Sequence, residues 1–359
     1  MGFKKWAAYG ILAAGATLFL SAAFTVVSIL YGMSWSDVTA PPLLGNRPEV
    51  ISRLTDGQPD VRPFSFLIVG DTQSKTIFEN FFLKVALDVA PDFGVVVGDF
   101  VANPEMNRHR FFMGEFGEWN MTFPVFLIAG NHDIVTNHET GLDWLRDPVY
   151  EKDFEKLYGP ANFSFIYRGC LFIGLNDVYT IDYFDYVKDV LSHRPPDILM
   201  TFVFMHIAPK SLSPLLQTRQ MEGEEEFKRL METYDVDYVL AGDFHSYLRM
   251  DRNNTEYIIT GGGGATLHGG ARSFHHAVLM TVDPARDRAD ETIYSFRPTL
   301  DVGDDIEIAM ICGIYPVFEQ HPLGWVALFT LIAAAAAGLV AFLLVRITRK
   351  RRGLRRIGA

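Results

Sequence analysis

Short apolar runs recur through the middle of the chain, and five of them end in the same way. Phe64–Val69 is followed by Gly70-Asp71-Thr72-Gln73, and Phe93–Val97 by Gly98-Asp99. Phe123–Ala129 is followed by Gly130-Asn131-His132-Asp133, Ile198–Met205 by His206, and Tyr238–Ala241 by Gly242-Asp243-Phe244-His245. With Ser164–Leu175 and Tyr257–Thr260, these runs are mostly four to eight residues long and rich in β-branched and aromatic residues, the pattern of buried strands. Helical spacing lies between several of them. Thr76–Ala90 is apolar at Phe78, Phe81, Phe82, Val85, Ala86 and Val89, and Glu222–Tyr234 reads as a charged amphipathic helix. Strand and helix in alternation predict a layered α/β domain.

In an open α/β sheet, ligands bind beyond the carboxyl ends of the strands. Strand ends carrying Asp71, Gln73, Asp99, Asn131, His206, Asp243 and His245 therefore predict one polar rim. Carboxylate, amide and imidazole suit hard or borderline divalent cations, and no thiol takes part. Seven such groups exceed the needs of one ion. A carboxylate shared by two ions ~3.5–4 Å apart is the arrangement of two-metal hydrolases. A single Gly-Asp after a strand is usually only a turn; the ordered set carries the inference.

The two ends of the chain are of another kind. Trp6–Leu30 contains no charged residue, nor does Gly324–Val345. A bilayer span needs about 20 apolar residues, and both runs are long enough. A cleaved signal peptide, cut near Leu20-Ser21-Ala22-Ala23, is the other reading of the first run. The run continues through Val26, Val27, Ile29 and Leu30, beyond a signal h-region of about 7–15 residues, which favours an uncleaved anchor. Lys4 and Lys5 precede the first run, and seven Arg or Lys residues from Arg346 to Arg356 follow the second. By the positive-inside tendency both termini are cytoplasmic and the region between the spans faces the periplasm, the exterior or a lumen. No acidic residue lies in 1–36 or 324–359, so the middle carries 23 basic against 43 acidic residues. A middle this acidic argues against nucleic acid as a partner.

The ordered motifs resemble the calcineurin-like metallophosphoesterases, whose pattern runs D-x-H, G-D, G-N-H-D/E, a lone H and G-H-x-H. The likeness covers roughly Phe64 to Gly270. A second stretch, Tyr158-Gly159-Pro160 with Phe163-Ser164-Phe165, Gly169 and Phe172-Ile173, is similar to a segment of the branches related to purple acid phosphatases and cyclic-nucleotide phosphodiesterases. The aspartate that ends that segment is Asn176 here. The resemblance implies a four-layer α/β/β/α sandwich, here flanked by two transmembrane helices. It implies that Asp71 and His245 bind a first metal, that Asp99 bridges, and that Asn131 and His206 bind a second. Gln73 and Asp243 stand where the family usually has histidines. His132 would donate to the phosphate or leaving oxygen, oriented by Asp133. Two divalent cations from Mn, Fe and Zn are implied; oxygen donors at 73 and 243 favour Mn or Fe. The implied reaction is hydrolysis of phosphomonoesters or phosphodiesters by a hydroxide bridging the two metals.

The expected organisation is an anchor over 1–32, a linker with one short helix over 33–63, and the phosphoesterase domain over 64–300. A juxtamembrane segment over 301–323, a second span over 324–346 and a basic cytoplasmic tail over 347–359 follow. An extracytoplasmic enzyme tied to the bilayer at both ends makes lipid-linked phosphoesters a candidate substrate class. Two rivals stand beside it: a tethered phosphatase for soluble esters, and a non-catalytic metal or phosphate sensor on the same fold. Arg108, His109 and Arg110 are read as a solvated loop cluster, Phe111, Phe112, Phe116 and Trp119 as core, and Cys170 as a small buried hydrophobe.

Overall fold

The computed structural model describes residues 2–57, 61–73, 76–119, 121–135, 145–178, 180–216, 218–270, 273–297 and 302–357. The chain divides into two units, Asp37–Ile306 and a second formed by Met1–Ser36 with Glu307–Ala359.

In chain order the first unit holds α2 (Pro48–Thr55), β1 (Phe64–Val69), α3 (Thr76–Val89), β2 (Phe93–Val97), α4 (Met106–Glu118), β3 (Val125–Ile128) and α5 (Glu151–Tyr158), after α1 (Gly2–Ser34) of the other unit. Then come β4 (Phe163–Tyr167), β5 (Cys170–Gly174), α6 (Tyr183–Ser192), β6 (Met200–Phe204), α7 (Glu224–Thr233), β7 (Tyr238–Ala241), β8 (Tyr247–Arg252), β9 (Thr255–Thr260), β10 (His275–Asp283) and β11 (Arg288–Phe296). One sheet has the order β11-β10-β1-β2-β3 and the other β4-β5-β6-β7-β9-β8. Strands β1, β2 and β3 run parallel, and so do β5, β6, β7 and β9.

The period of two along a strand sorts side chains into layers. Phe64, Phe66 and Ile68 of β1, with Phe93 and Val95 of β2, pack against Phe165, Phe172, Phe202 and Phe204 of the facing sheet. Phe66 and Phe93 stack at 5.0 Å, and Phe172 stands edge-on to both. Leu67, Val69 and Val96 point the other way, into α3, α4 and α5 through Phe82, Phe112, Phe116 and Tyr158. On the far side Leu171, Val203 and Val239 meet α6 and α7 through Tyr183, Val187, Phe227 and Met231. Helix, sheet, sheet, helix is the four-layer sandwich implied by the motifs. Each buried phenylalanine contributes about 1.5–3 kcal/mol, so the aromatic middle layer holds the sheets face to face. The side chains of Phe78 and Phe81 lie outside the described residues.

Several local features differ from the sequence reading. The run Ser164–Leu175 is a hairpin, β4 and β5, turned at Arg168 and Gly169, whose φ values are 49° and 80°. Residues from the expected linker are built into the body: Leu44 bridges to Val125, the buried Asn46 side chain bonds Leu127 through both its amide and its carbonyl, and Val50 and Leu54 of α2 are buried.

In the other unit, Ala13–Ser34 of α1 is long and apolar enough to cross a bilayer, with mean hydropathy 2.0. The last residues of α8 (Val302–Ile308) lead into a π-helical stretch Ala309–Ile314, α9 (Tyr315–Gln320) and α10 (Pro322–Ile357). Pro322–Gly338 passes the same test only together with Val302–Gln320, from which it is bent by 98°. Tyr31 donates to Glu307 at 2.7 Å, and Gly32 lets α1 close onto Tyr315.

Candidate metal centre

The parallel strands bring their carboxyl ends to one rim, and the turn after each is tight. Asp71, Asp99 and Asp243 take φ values of 59°, 54° and 58°, and Gln73 takes 50°. Left-handed backbone costs most residues about 1–2 kcal/mol, and aspartate tolerates it better than bulkier residues do. Three strained aspartates at corresponding turns swing three carboxylates over one spot, as strain at functional sites commonly does. The turns are stitched across strands: Asp71 N–H donates to the Gly98 carbonyl at 2.9 Å, Gln73 N–H to the Asp99 carbonyl at 2.9 Å, and Asp243 N–H to Asp71 Oδ2 at 3.0 Å. Glycine is required where these turns approach. A Cβ at Gly98 would lie 2.2 Å from His206 Nδ1, and one at Gly130 would lie 2.2 Å from the Asp99 backbone nitrogen.

Two groups of ligand atoms result, and Asp99 belongs to both. In the first, one ligand atom each of Asp71, Asp99 and His245 lie within 4.8 Å of one another, with His245 Nε2 at 3.2 Å from Asp71 Oδ1. In the second, His206 Nε2 lies 3.3 Å from Asp99 Oδ1, 3.3 Å from Asn131 Oδ1 and 3.9 Å from Asp243 Oδ1. Ligands about 2.1 Å from one cation stand about 3.0 Å apart at octahedral and about 3.4 Å apart at tetrahedral angles. Three of the four distances, at 3.2–3.3 Å, are of that size. Asp71 Oδ1 is buried and has no hydrogen bond of good geometry, a state that a cation would relieve. The donor set thus fits divalent cations. Gln73 stands half-buried on the same rim.

A family model for calcineurin-like phosphoesterases matches residues 64–247. The chain belongs to the calcineurin-like phosphoesterases. Among solved structures it is similar to a purple acid phosphatase from yellow lupin seeds, at 15% identity and a TM-score of 0.49. That match covers 67% of this chain and 57% of the lupin protein, so the chain spans little more than half of that relative's length. It is also similar to a dimetal phosphatase from Danio rerio, at 10% identity and a TM-score of 0.46, over 65% of this chain and 99% of that one. At these identities the likeness is one of fold alone. No curated protein sequence matches the chain.

Behind the centre lies a shell that the motifs did not announce. The Val97 carbonyl accepts from His206 Nδ1 at 2.9 Å, and the Thr266 carbonyl accepts from His245 Nδ1 at 2.7 Å. In the neutral imidazole both bonds leave Nε2 as the lone-pair nitrogen, and it faces the rim. Asp177, one residue past the family's aspartate position, accepts the backbone N–H of His206 at 2.8 Å and of Ile207 at 2.7 Å. A cue was present in the sequence: Asn176-Asp177 follows the apolar run ending at Leu175, as the other polar clusters do.

Asp133 departs from its expected role. Both its oxygens are taken by backbone amides, those of Asp99 at 2.8 Å, Gly130 at 2.7 Å and Val101 at 3.0 Å. It braces the loops that present Asp99 and Asn131. His132 is oriented instead by the Ala102 carbonyl, which accepts from Nδ1 at 2.7 Å. Its backbone N–H donates to Asp99 Oδ1 at 2.8 Å, and its side chain is 35% exposed, with Nε2 at 3.8 Å from Asp99 Oδ2. His109 corrects the expectation of a solvated cluster. It is fully buried, accepts from the Tyr158 hydroxyl at Nδ1 (3.0 Å) and donates from Nε2 to the Asp133 carbonyl (2.9 Å). Its position on α4, one turn from the buried Phe112 and two from the buried Phe116, was the missed signal.

The electrostatics of the cluster suit a cation. Burial pushes Asp71 up to about 6, opposed by the His245 imidazole beside it. Burial would lower His206, but Asp99, Asp71, Asp243 and Asp177 outweigh it and carry the imidazole to about 10. His245 is likewise raised against its own burial by Asp71. In the bare polypeptide, protons supply the positive charge that this nest of carboxylates demands; a metal would displace them.

Proposed function

We propose that this protein is a metal-dependent phosphoric ester hydrolase that cleaves phosphomonoesters or phosphodiesters with two divalent cations. Asp71, Gln73, Asp99 and His245 would hold one, and Asp99, Asn131, His206 and Asp243 the other. The observation that carries this reading is Asp99, whose carboxylate belongs to both ligand groups. Divalent cations supply Lewis acidity toward phosphoryl oxygens and acidify water near neutral pH. The chain's own contribution is geometric and protonic. His206 and His245 are held in one orientation, Asp133 and Asp177 fix the loops, and His132, its Nδ1 bonded to the Ala102 carbonyl, would present Nε2 to the phosphoryl or leaving oxygen. Oxygen donors at Gln73 and Asp243 favour Mn or Fe over Zn.

The terminal apolar helices support a two-pass membrane protein. Both termini would be cytoplasmic, the phosphoesterase unit would face the other side, and lipid-linked phosphoesters would be its substrates. Purified protein should contain about two metal equivalents and hydrolyse p-nitrophenyl phosphate or its bis-ester. His132→Ala should lower turnover by about 10²–10⁴-fold with metal retained. A metal-replete protein inert toward both dyes and toward phospholipid extracts would leave the sensor reading. That rival is favoured by one feature, the engagement of both Asp243 oxygens by neighbouring groups. A reporter fused after Ala359 that reads extracytoplasmic would overturn the topology.

A further inference from the structure

Three carboxylates, Asp71, Asp99 and Asp243, crowd a centre that, on the reading just given, must admit an anionic phosphoryl group. Asp243 is paired with an arginine. Arg219 Nε lies 3.4 Å from Asp243 Oδ1, the Arg219 backbone N–H donates to Oδ2 at 2.6 Å, and the Thr218 hydroxyl donates to the same oxygen. Asp243 in turn donates its N–H to Asp71 Oδ2 at 3.0 Å, so Arg219 is connected to the cage by consecutive bonds.

The segment that carries Arg219 is stapled down. Ser211 N–H donates to Glu224 Oε1 at 2.7 Å, Gln220 Nε2 donates to Glu224 Oε2 at 3.2 Å, and Lys228 donates to the Ser211 hydroxyl at 2.6 Å. Glu224 and Lys228 are themselves buried on α7. The guanidinium nevertheless keeps 45% of its side-chain surface exposed. It is a cation with a fixed root, at the lip of the centre, within reach of a ligand. A guanidinium presents donors in a planar fork that matches two phosphoryl oxygens, which a lysine ammonium cannot reproduce.

We propose that Arg219 is a substrate-binding residue, which pairs with a phosphoryl oxygen of the ester and is aimed by Asp243. This rests on the phosphoesterase reading. It assigns Asp243 two tasks, as a ligand through Oδ1 and as a root for Arg219. It also explains how a centre with an added carboxylate can still attract an anion.

The test uses full-length, metal-replete protein in detergent, with inorganic phosphate as the probe. Phosphate affinity is measured by calorimetry, metal content by plasma emission, and KM and kcat with p-nitrophenyl phosphate. Arg219→Ala and Arg219→Gln should weaken phosphate binding and raise KM by about 10- to 100-fold, the size of a hydrogen bond to a charged group. Metal content should stay unchanged, and Arg219→Lys should fall between. Two variants at a half-exposed position guard against a folding artefact. If phosphate affinity and KM match wild type in Ala and Gln variants, Arg219 merely balances Asp243 and the proposal is overturned. Loss of metal together with phosphate binding would also overturn it, since the residue would then act by holding the cage. Wild-type protein that holds two cations yet neither binds phosphate nor cleaves the dye would sink the phosphoesterase reading itself, and the Arg219 role with it.

Discussion

Replacing Gly98 by alanine tests whether the centre depends on close approach of the strand-end turns. Gly98 has φ +87°, and a Cβ there would stand 2.2 Å from His206 Nδ1, 2.6 Å from its Cγ and 3.0 Å from Gly130 Cα. Ordinary contact begins near 3.4 Å, so the imidazole must retreat by about 1.2 Å. Two costs follow. The left-handed backbone costs alanine about 1–2 kcal/mol. Loss of the His206 Nδ1–Val97 carbonyl bond costs about 1 kcal/mol more. A third effect is functional: ligand misplacement on this scale is worth about 10²-fold in rate.

Gly269 supplies the control, since it has the same φ of +87° with nothing within 4 Å. Gly269→Ala should show the backbone cost in a urea titration and leave metal content and turnover as in wild type. Gly98→Ala should show the larger stability loss, retain cation at Asp71, Asp99 and His245, and lose roughly one metal equivalent with most of its activity. Full metal content and unchanged turnover in Gly98→Ala would refute the reasoning, because His206 would then have no need of its observed place.

Three further outcomes follow from the same geometry. Burial holds His109 and His276 near 4, below the ordinary 6.5, so between those values the unfolded chain binds protons that the folded one refuses. Their contribution is intact above about pH 6.5 and drains as pH falls toward 4, by about 3 kcal/mol each. Urea midpoints across that window should fall with pH, and less steeply in His276→Gln; parallel slopes would contradict this. Asp133→Ala strands three buried amides at about 1–3 kcal/mol each, which should lower the Tm by more than about 10 °C; a loss of only a degree or two would show that the amides find other partners. Asp243→His replaces an oxygen donor by nitrogen and should move the metal bound on purification from Mn or Fe toward Zn, with an unaltered ratio counting against Asp243 as a ligand.

Much of the centre was legible because its chemistry sits where strands stop. β1, β2 and β7 begin and end where their apolar runs do, and the residues after them form the rim. What was hidden lies in groups with no motif. The left-handed turns at Asp71, Asp99 and Asp243 cannot be read from composition, since aspartate marks many ordinary turns. His109 looks solvent-bound between two arginines, yet the helical period turns it inward while Arg108 and Arg110 flank it. Arg219 sits in an unpatterned segment and meets Asp243 only through folding. Strand β11 is hidden in the sequence because it alternates exposed and half-buried residues, and its apolar content is too low to announce a strand; β10, with the buried run Ala277-Val278-Leu279-Met280, carried a readable signal. The hairpin at Arg168-Gly169 was missed because apolar residues run on from both sides of a two-residue turn.

The central claim is that Asp99 stands between two cations. Anomalous diffraction from crystals grown with manganese measures this directly. Two peaks are predicted, one bounded by Asp71, Asp99 and His245 and the other by Asp99, Asn131, His206 and Asp243, with the Asp99 carboxylate touching both. Crystals with no anomalous density in this cage, or with metal bound only away from Asp99, would contradict the account.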